Sequence, residues 1–148
     1  MLRVSQKCQY ALRAVYELAL QYGRGPIAVA DIARPQAIPP RFLELILRQL
    51  RQGGIVESRR GPQGGYLLAV RPDQLTIGRV LGFFDGPLAP VSCVAPEPSE
   101  ECPLHGRCAF LPMWERAREA VSNVFDRTTF QGLVDAEKEI EHVPSYSI

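Results

Sequence analysis

The sequence predicts a mainly α-helical chain with one small β-hairpin, an α+β class. Three observations predict it. Apolar residues recur at helical spacing in several stretches separated by Gly/Pro breaks. One glycine-rich tip, Arg59-Arg60-Gly61-Pro62-Gln63-Gly64-Gly65-Tyr66, lies between two short β-branched or apolar runs, Ile55 to Ser58 and Tyr66 to Val70, which reads as a hairpin. A long apolar stripe then follows a loop rich in proline and cysteine.

Residues 5–22 read as the first helix, with Ser5 as cap and Ala11, Leu12, Val15, Leu18 and Ala19 on one side. Gly23-Arg24-Gly25-Pro26 breaks it. Ile27 to Val29 reads as extended, and a brief helix covers Asp31 to Arg34, with Pro35 ending it. A tight turn at 37–40 puts Pro40 in the first turn of the next helix. From Arg41 to Arg51 the faces separate. Phe42, Leu43, Ile46, Leu47 and Leu50 form the buried stripe, while Arg41, Glu44, Arg48 and Arg51 face outward. Leu45 projects near that polar face, where it could touch a thymine methyl or simply remain an exposed leucine. Short helix, turn and amphipathic helix make a helix-turn-helix, and Gly53-Gly54 stops the second helix before the hairpin. Helix followed by basic hairpin is the layout of a winged helix. Its second helix would lie in a major groove with its N-terminal residues nearest the bases.

Arg71 to Ile77 leads into a helix over residues 77–84, ended by Asp85-Gly86-Pro87. Residues 86–107 then hold five prolines and no periodicity, so that stretch is either unstructured or organised by something bound to it. A long helix starts near Phe110, with Leu111, Trp114, Ala117, Val121, Val124 and Phe125 forming its stripe. By pattern alone that stripe packs either on the first helix or on a second copy of the chain. A last helix spans residues 130–141. The division is thus a winged helix-turn-helix unit over residues 1–85, a cysteine loop over 86–109, and a long helix with C-terminal tail over 110–148.

Composition narrows the function. At 148 residues the chain can bury one proper core, and 46% hydrophobic with 22% charged residues is ordinary for a water-soluble fold. The N-terminus lacks a signal peptide's apolar core, and no apolar run approaches the ~20 residues that span a bilayer. The expectation is a cytoplasmic protein without a membrane partner, whose four cysteines are not structural disulfides. Net charge is only +1, yet residues 1–80 hold 12 Lys/Arg against 5 Asp/Glu (+7) and residues 81–148 hold 5 against 11 (−6). The front half therefore suits a polyanion. There is no phosphate loop, and neither His105 nor His142 stands in a catalytic motif, which leaves little room for an enzyme.

Cys93, Cys102 and Cys108 are separated by eight and five residues. Clustered thiolates in such a loop suggest metal ligation more than disulfides, and three sulfurs plus one other donor would suit an iron–sulfur cluster. Free cysteines or a redox thiol pair are the alternatives. Cys8, on the first helix, reads as a small buried residue.

Several pieces of the chain carry a resemblance: Tyr10-Ala11-Leu12-Arg13-Ala14, Phe42-Leu43-Glu44, Arg60-Gly61-Pro62-Gln63-Gly64-Gly65-Tyr66, and Cys102-x5-Cys108 followed by Trp114. With them, residues 1–135 resemble the IscR/NsrR-type family of bacterial winged-helix transcription regulators, many of which carry iron–sulfur clusters. The resemblance implies a homodimer on double-stranded DNA with a near-palindromic operator, and makes the long helix the dimerisation helix. It matches Glu44 to a major-groove reader, Arg60 to a minor-groove reader, and Cys93, Cys102 and Cys108 to cluster ligands. The candidate DNA contacts are then Lys7, Pro40, Arg41, Glu44, Arg48, Arg59, Arg60 and Gly64. The expected cofactor is an iron–sulfur cluster, [2Fe–2S] first, with [4Fe–4S] or none as alternatives.

The chain also departs from the family. Its first cysteine gap of eight residues exceeds the five common in cluster-binding members. The fourth-ligand histidine of some members falls here on Leu111, and the first-helix carboxylate of others falls on Gln9, next to Cys8. The fourth donor is therefore open among Cys8, His105, Gln9 and solvent. A clusterless regulator working through thiol oxidation or a partner protein is the alternative function.

Overall fold

In the computed structural model, residues 3–97 and 102–142 are described. Helix α1, Gln6–Leu20, starts where the Ser5 hydroxyl accepts from the Cys8 amide at 3.1 Å, satisfying a donor that the helix itself leaves unpaired. It runs through the middle of the unit. Ala11, Ala14, Val15 and Leu18 are buried along it and touch residues from almost every other element. Small Ala11 and Ala14 let neighbouring helices approach closely. Glu17 is buried too, and is kept tolerable by Gln21 and Gln36, whose amides donate to its two oxygens at 2.9 Å.

Helix α2 spans Val29–Gln36, longer than its sequence suggested, with Pro35 inside its last turn. Burial of Ile32 and Ala33 against α1 outweighs proline's local preference. Ala37, in the left-handed region at φ 51°, ends the helix instead. Helix α3, Pro40–Gln52, begins on a proline whose missing N–H costs nothing there. It buries Leu43, Ile46, Leu47 and Leu50 on α1 and α2, each such side chain worth about 1.5–3 kcal/mol in transfer free energy. Phe42, expected in that buried stripe, is 58% exposed. It lies about 90° around the helix from the line through Leu43, Leu47 and Leu50, so the core closes without it.

Strands β1 (Val56–Arg59) and β2 (Gly65–Leu68) pair antiparallel, with Val56 opposite Leu68 and Arg59 opposite Gly65. Val56 and Leu68 drop into the core. Helix α4, Ile77–Asp85, is capped by Thr76, whose hydroxyl accepts from the Arg79 amide. After it, a 3-10 turn lies at Ser92–Val94 in the cysteine loop.

Helices α5 (Leu111–Arg127) and α6 (Phe130–His142) close the described chain. The link between them is sewn to the start of α4: the amide of Ile77 donates to the Thr128 carbonyl at 2.9 Å, and that of Phe130 to the Leu75 carbonyl at 3.0 Å. Those bonds deliver Phe130 and Val134 into the core that α1 organises. The α+β class with a hairpin wing is what the chain adopts. No helix among the described residues is long and apolar enough to cross a membrane.

Candidate DNA interface and cysteine loop

On α3, Pro40, Arg41, Glu44, Leu45 and Arg48 are all exposed, opposite the buried line. Lys7 is exposed in the first turn of α1. The N-terminal half of α3 is braced from the side. Phe42 stacks on Tyr10 of α1, ring centroids 6.5 Å apart and planes at 30°, and the Arg13 guanidinium covers the Tyr10 ring at 4.8 Å. Gln6 donates to the Tyr10 hydroxyl at 3.1 Å. Sequence reasoning did not assign Tyr10 and Arg13 this role. Their i, i+3 spacing on one helix, with Phe42 at a turn's start, was the available signal.

The wing is held by backbone. Ile27, beyond the end of α1, exchanges both hydrogen bonds with Tyr66 at 2.8 Å, adding a bridge beside β2. A Cβ on Gly65 would collide with the Ile27 carbonyl, so this close approach needs glycine. At the tip, the Gly64 amide donates to the Gly61 carbonyl at 2.9 Å, and a Cβ on Gly64 would run into the carbonyl of Arg59. Both wing arginines are exposed, but they differ. Arg59 pairs with Glu57, two residues back on the same strand face, at 3.2 Å. Arg60 has no ion pair among the described residues. Since α3 packs on β1, helix and wing belong to one surface.

Cys93 lies exposed in the 3-10 turn and Cys102 is exposed, while Cys108, just ahead of α5, is half-buried. All four cysteines are free thiols. Three thiols suit an iron–sulfur cluster in kind. They are not gathered here: among the described residues no group of three His, Cys, Asp or Glu side chains stands close enough to hold a metal ion. Of the fourth-donor candidates, His105 is exposed, its amide donating to the Cys102 carbonyl at 3.0 Å, and Gln9 is exposed with its amide turned to the Val4 carbonyl. Cys8 is fully buried, its thiol pushed up to about 12 by burial and, second, by the nearby Asp85 carboxylate. Leu111 is the first residue of α5. Glu97 is exposed; Glu100 and Glu101 lie outside the described residues.

Asp85 joins the loop to the front unit. Its two oxygens accept from the Ser5 amide at 2.8 Å and the Ser5 hydroxyl at 2.6 Å, so the residue that starts the loop also holds the cap of α1. The 3-10 turn in turn rests on α5.

Helix α5 buries none of its residues. Of the stripe expected on this helix, Val121 and Phe125 line a cavity of about 200 Å³ with Gly78, Leu81 and Gly82 of α4. Their side of the helix rests on its own chain, and a Cβ on Gly78 would run into the Asp126 carboxylate of α5. The outward apolar line is Met113, Ala117, Ala120 and Val124. Together with Arg116, Glu119 and Asn123, the first three of these line an open groove.

Residues 4–136 match the Rrf2 family, described as an iron-dependent transcriptional regulator. The chain belongs to the Rrf2 family. It is 34% identical to the HTH-type transcriptional regulator CymR of Bacillus subtilis, over 93% of this chain and 96% of the relative. Among solved structures, T. potens IscR superposes with TM-score 0.77 at 28% identity, covering 98% of this chain and 95% of that one. The oxidized form of Staphylococcus aureus CymR superposes with TM-score 0.70 at 29% identity, covering 89% and 95%. This Rrf2 chain is therefore a winged-helix transcriptional regulator and not an enzyme.

Proposed function

We propose that this Rrf2 regulator works as a homodimer on a near-palindromic duplex operator, with the cysteine loop as its sensing element. The observation that carries the reading is a pairing: a recognition stripe fully turned outward on a braced helix, and a 17-residue helix that buries nothing of its own. Two recognition helices must meet successive major grooves about 34 Å apart, which needs two copies held at fixed spacing. On α5, Met113, Ala117, Ala120 and Val124 are spaced four, three and four residues apart, the repeat of a helix–helix seam, and its two alanines allow close contact.

In each copy Glu44 accepts from a cytosine amine, with Arg41 beside it, following major-groove chemistry. Arg60 enters the minor groove, where narrow steps concentrate negative potential. Lys7, Arg48 and Arg59 contact phosphates, Pro40 sets the start of the reading helix, and Gly64 keeps the wing tip slim enough to approach.

Cys93, Cys102 and Cys108 are the thiols that would hold an iron–sulfur cluster, [2Fe–2S] or [4Fe–4S], with His105 or Gln9 as fourth donor. Cys8, buried in the core, is set aside. Bound there, the cluster would supply sensitivity to oxygen, nitric oxide or iron supply. The family's iron-dependent description supports this reading. The Asp85–Ser5 clamp and the contact of the 3-10 turn with α5 give the loop a path to both halves of the protein.

Anaerobic reconstitution with iron and sulfide tests it. The parent should gain visible absorption with stoichiometric iron and sulfide. Cys102→Ala should lose both and change operator affinity by about 5–150-fold, the range of a typical coupling between sites, while staying dimeric. A parent that takes up no iron favours a second reading, regulation through oxidation of Cys93 and Cys102. That reading draws on their exposure and on the relative solved in an oxidized form.

A further inference from the structure

Leu45 sits where a water-exposed leucine has no structural reason to be. It is 47% exposed and stands outside the buried core. Around α3 it falls four residues after Arg41 and three before Arg48, on the side opposite the line through Leu43, Leu47 and Leu50. The middle of the recognition stripe is thus apolar, flanked by two guanidinium groups and the Glu44 carboxylate. The other exposed apolar side chain on the helix, Phe42, has its partner in Tyr10. Leu45 has none.

The basic flanks suit a polyanion rather than an apolar protein groove, and a duplex presents one apolar feature in its major groove, the C5-methyl of thymine. Leucine carries no donor or acceptor, so it cannot read a hydrogen-bonding edge. We propose that Leu45 is a specificity residue that reads a thymine methyl in each half-site, between the bases or phosphates met by Arg41 and Arg48. This inference deepens the operator-binding reading and rests on it.

The test replaces thymine by uracil, which deletes the methyl and keeps every hydrogen bond. Duplexes enriched by the parent dimer from a random pool define the operator, and each dT in a half-site is then changed to dU in turn. One replacement should weaken the parent about fourfold, the loss expected for one buried methyl group. Leu45→Ala should keep its helical signal, bind the original operator more weakly, and show no further loss at that uracil. A Glu44→Ala control should retain the uracil sensitivity. Equal sensitivity of Leu45→Ala and the parent at every position overturns the inference, as does a parent indifferent to all replacements, and either leaves operator binding itself standing. A parent that enriches no duplex overturns the operator reading and this inference together.

Discussion

Two amphipathic helices, α3 and α5, are built on opposite plans. Over its 13 residues α3 buries Leu43, Ile46, Leu47 and Leu50 completely or nearly so. Over 17 residues α5 buries none, and Val124 remains 61% exposed. Both carry apolar residues at helical spacing, so hydrophobic pattern alone does not distinguish them. What differs is what the chain supplies opposite each stripe. α1, α2 and the hairpin close over α3, whereas among the described residues α5 packs chiefly on α4 and one 3-10 turn. The front of the molecule is completed by its own chain. The back presents a surface that the described residues leave largely open.

The largest expected effect tests the front. Leu47→Ala removes a fully buried side chain from the centre of the core and should cost about 2–5 kcal/mol in urea unfolding. Val124→Ala, made on α5 and measured where the protein is monomeric, should stay within about 0.5 kcal/mol of the parent. Equal losses would mean that α5 is as integrated as α3, and the contrast fails.

A smaller effect falls on assembly. Val124→Glu puts a carboxylate into the proposed seam while leaving the core untouched. Since truncating a central anchor typically costs at least about 2 kcal/mol, the dimer should dissociate at low micromolar concentration with its helical signal intact. Phe125→Glu, whose side chain faces α4 instead, should lower stability before it changes assembly. A Val124→Glu protein that sediments as a dimer would move the seam elsewhere on the surface.

The wing offers a finer contrast within the front unit. Arg60 is unpaired among the described residues and Arg59 is held by Glu57. If Arg60 enters the minor groove, Arg60→Ala should weaken binding and, by removing one cation from between the phosphate strands, flatten the salt dependence by up to about 0.9 in log–log slope. Glu57→Gln should act in the opposite direction by releasing Arg59, steepening the slope and favouring non-specific DNA. In an Arg59→Gln background the same substitution should have little left to release. An effect of Glu57→Gln that persists there would show the carboxylate acting by its own charge.

How much of this was legible in the sequence follows the same divide. Ser5 as a cap, Pro40 at a helix start and glycines at the wing tip are local rules, and each stands where the sequence placed it. The errors come where tertiary contact decides. Pro35 stays helical because Ile32 and Ala33 are buried beside it. Phe42 leaves the core because four other side chains already fill it. Val121 and Phe125 turn to α4, which α5 approaches closely where Asp126 meets Gly78, a complementarity between distant segments that no periodicity reports. The loop thiols were found as a set by their spacing. Whether they gather around a metal depends on a closure that spacing does not encode.

The smallest effect distinguishes the one cysteine of the front from the three behind it. Cys8 is buried under the cap of α1, and its thiol is pushed up from 9.0 to about 12 by desolvation first and by Asp85 second. Below pH 9 the thiol is protonated in both folded and unfolded chains, so its contribution to stability is fully present. As pH rises from 9 toward 12 the unfolded chain ionises and the folded one does not, so that contribution is lost progressively. Tyr16, also raised by burial and by its bond to Glu137, adds a loss of the same sign. The difference between parent and Cys8→Ala therefore isolates the thiol: the variant's urea midpoint should fall less steeply between pH 8.5 and about 10.5, a window set by the unfolded thiol. A chemical measurement checks the same burial. With Cys93, Cys102 and Cys108 replaced by alanine, Cys8 should react with a disulfide reagent only as fast as the fold opens, whereas the loop thiols of the parent should react at once. A Cys8 that reacts as quickly as the loop would place it within reach of solvent, and would restore it as a donor for whatever the loop binds.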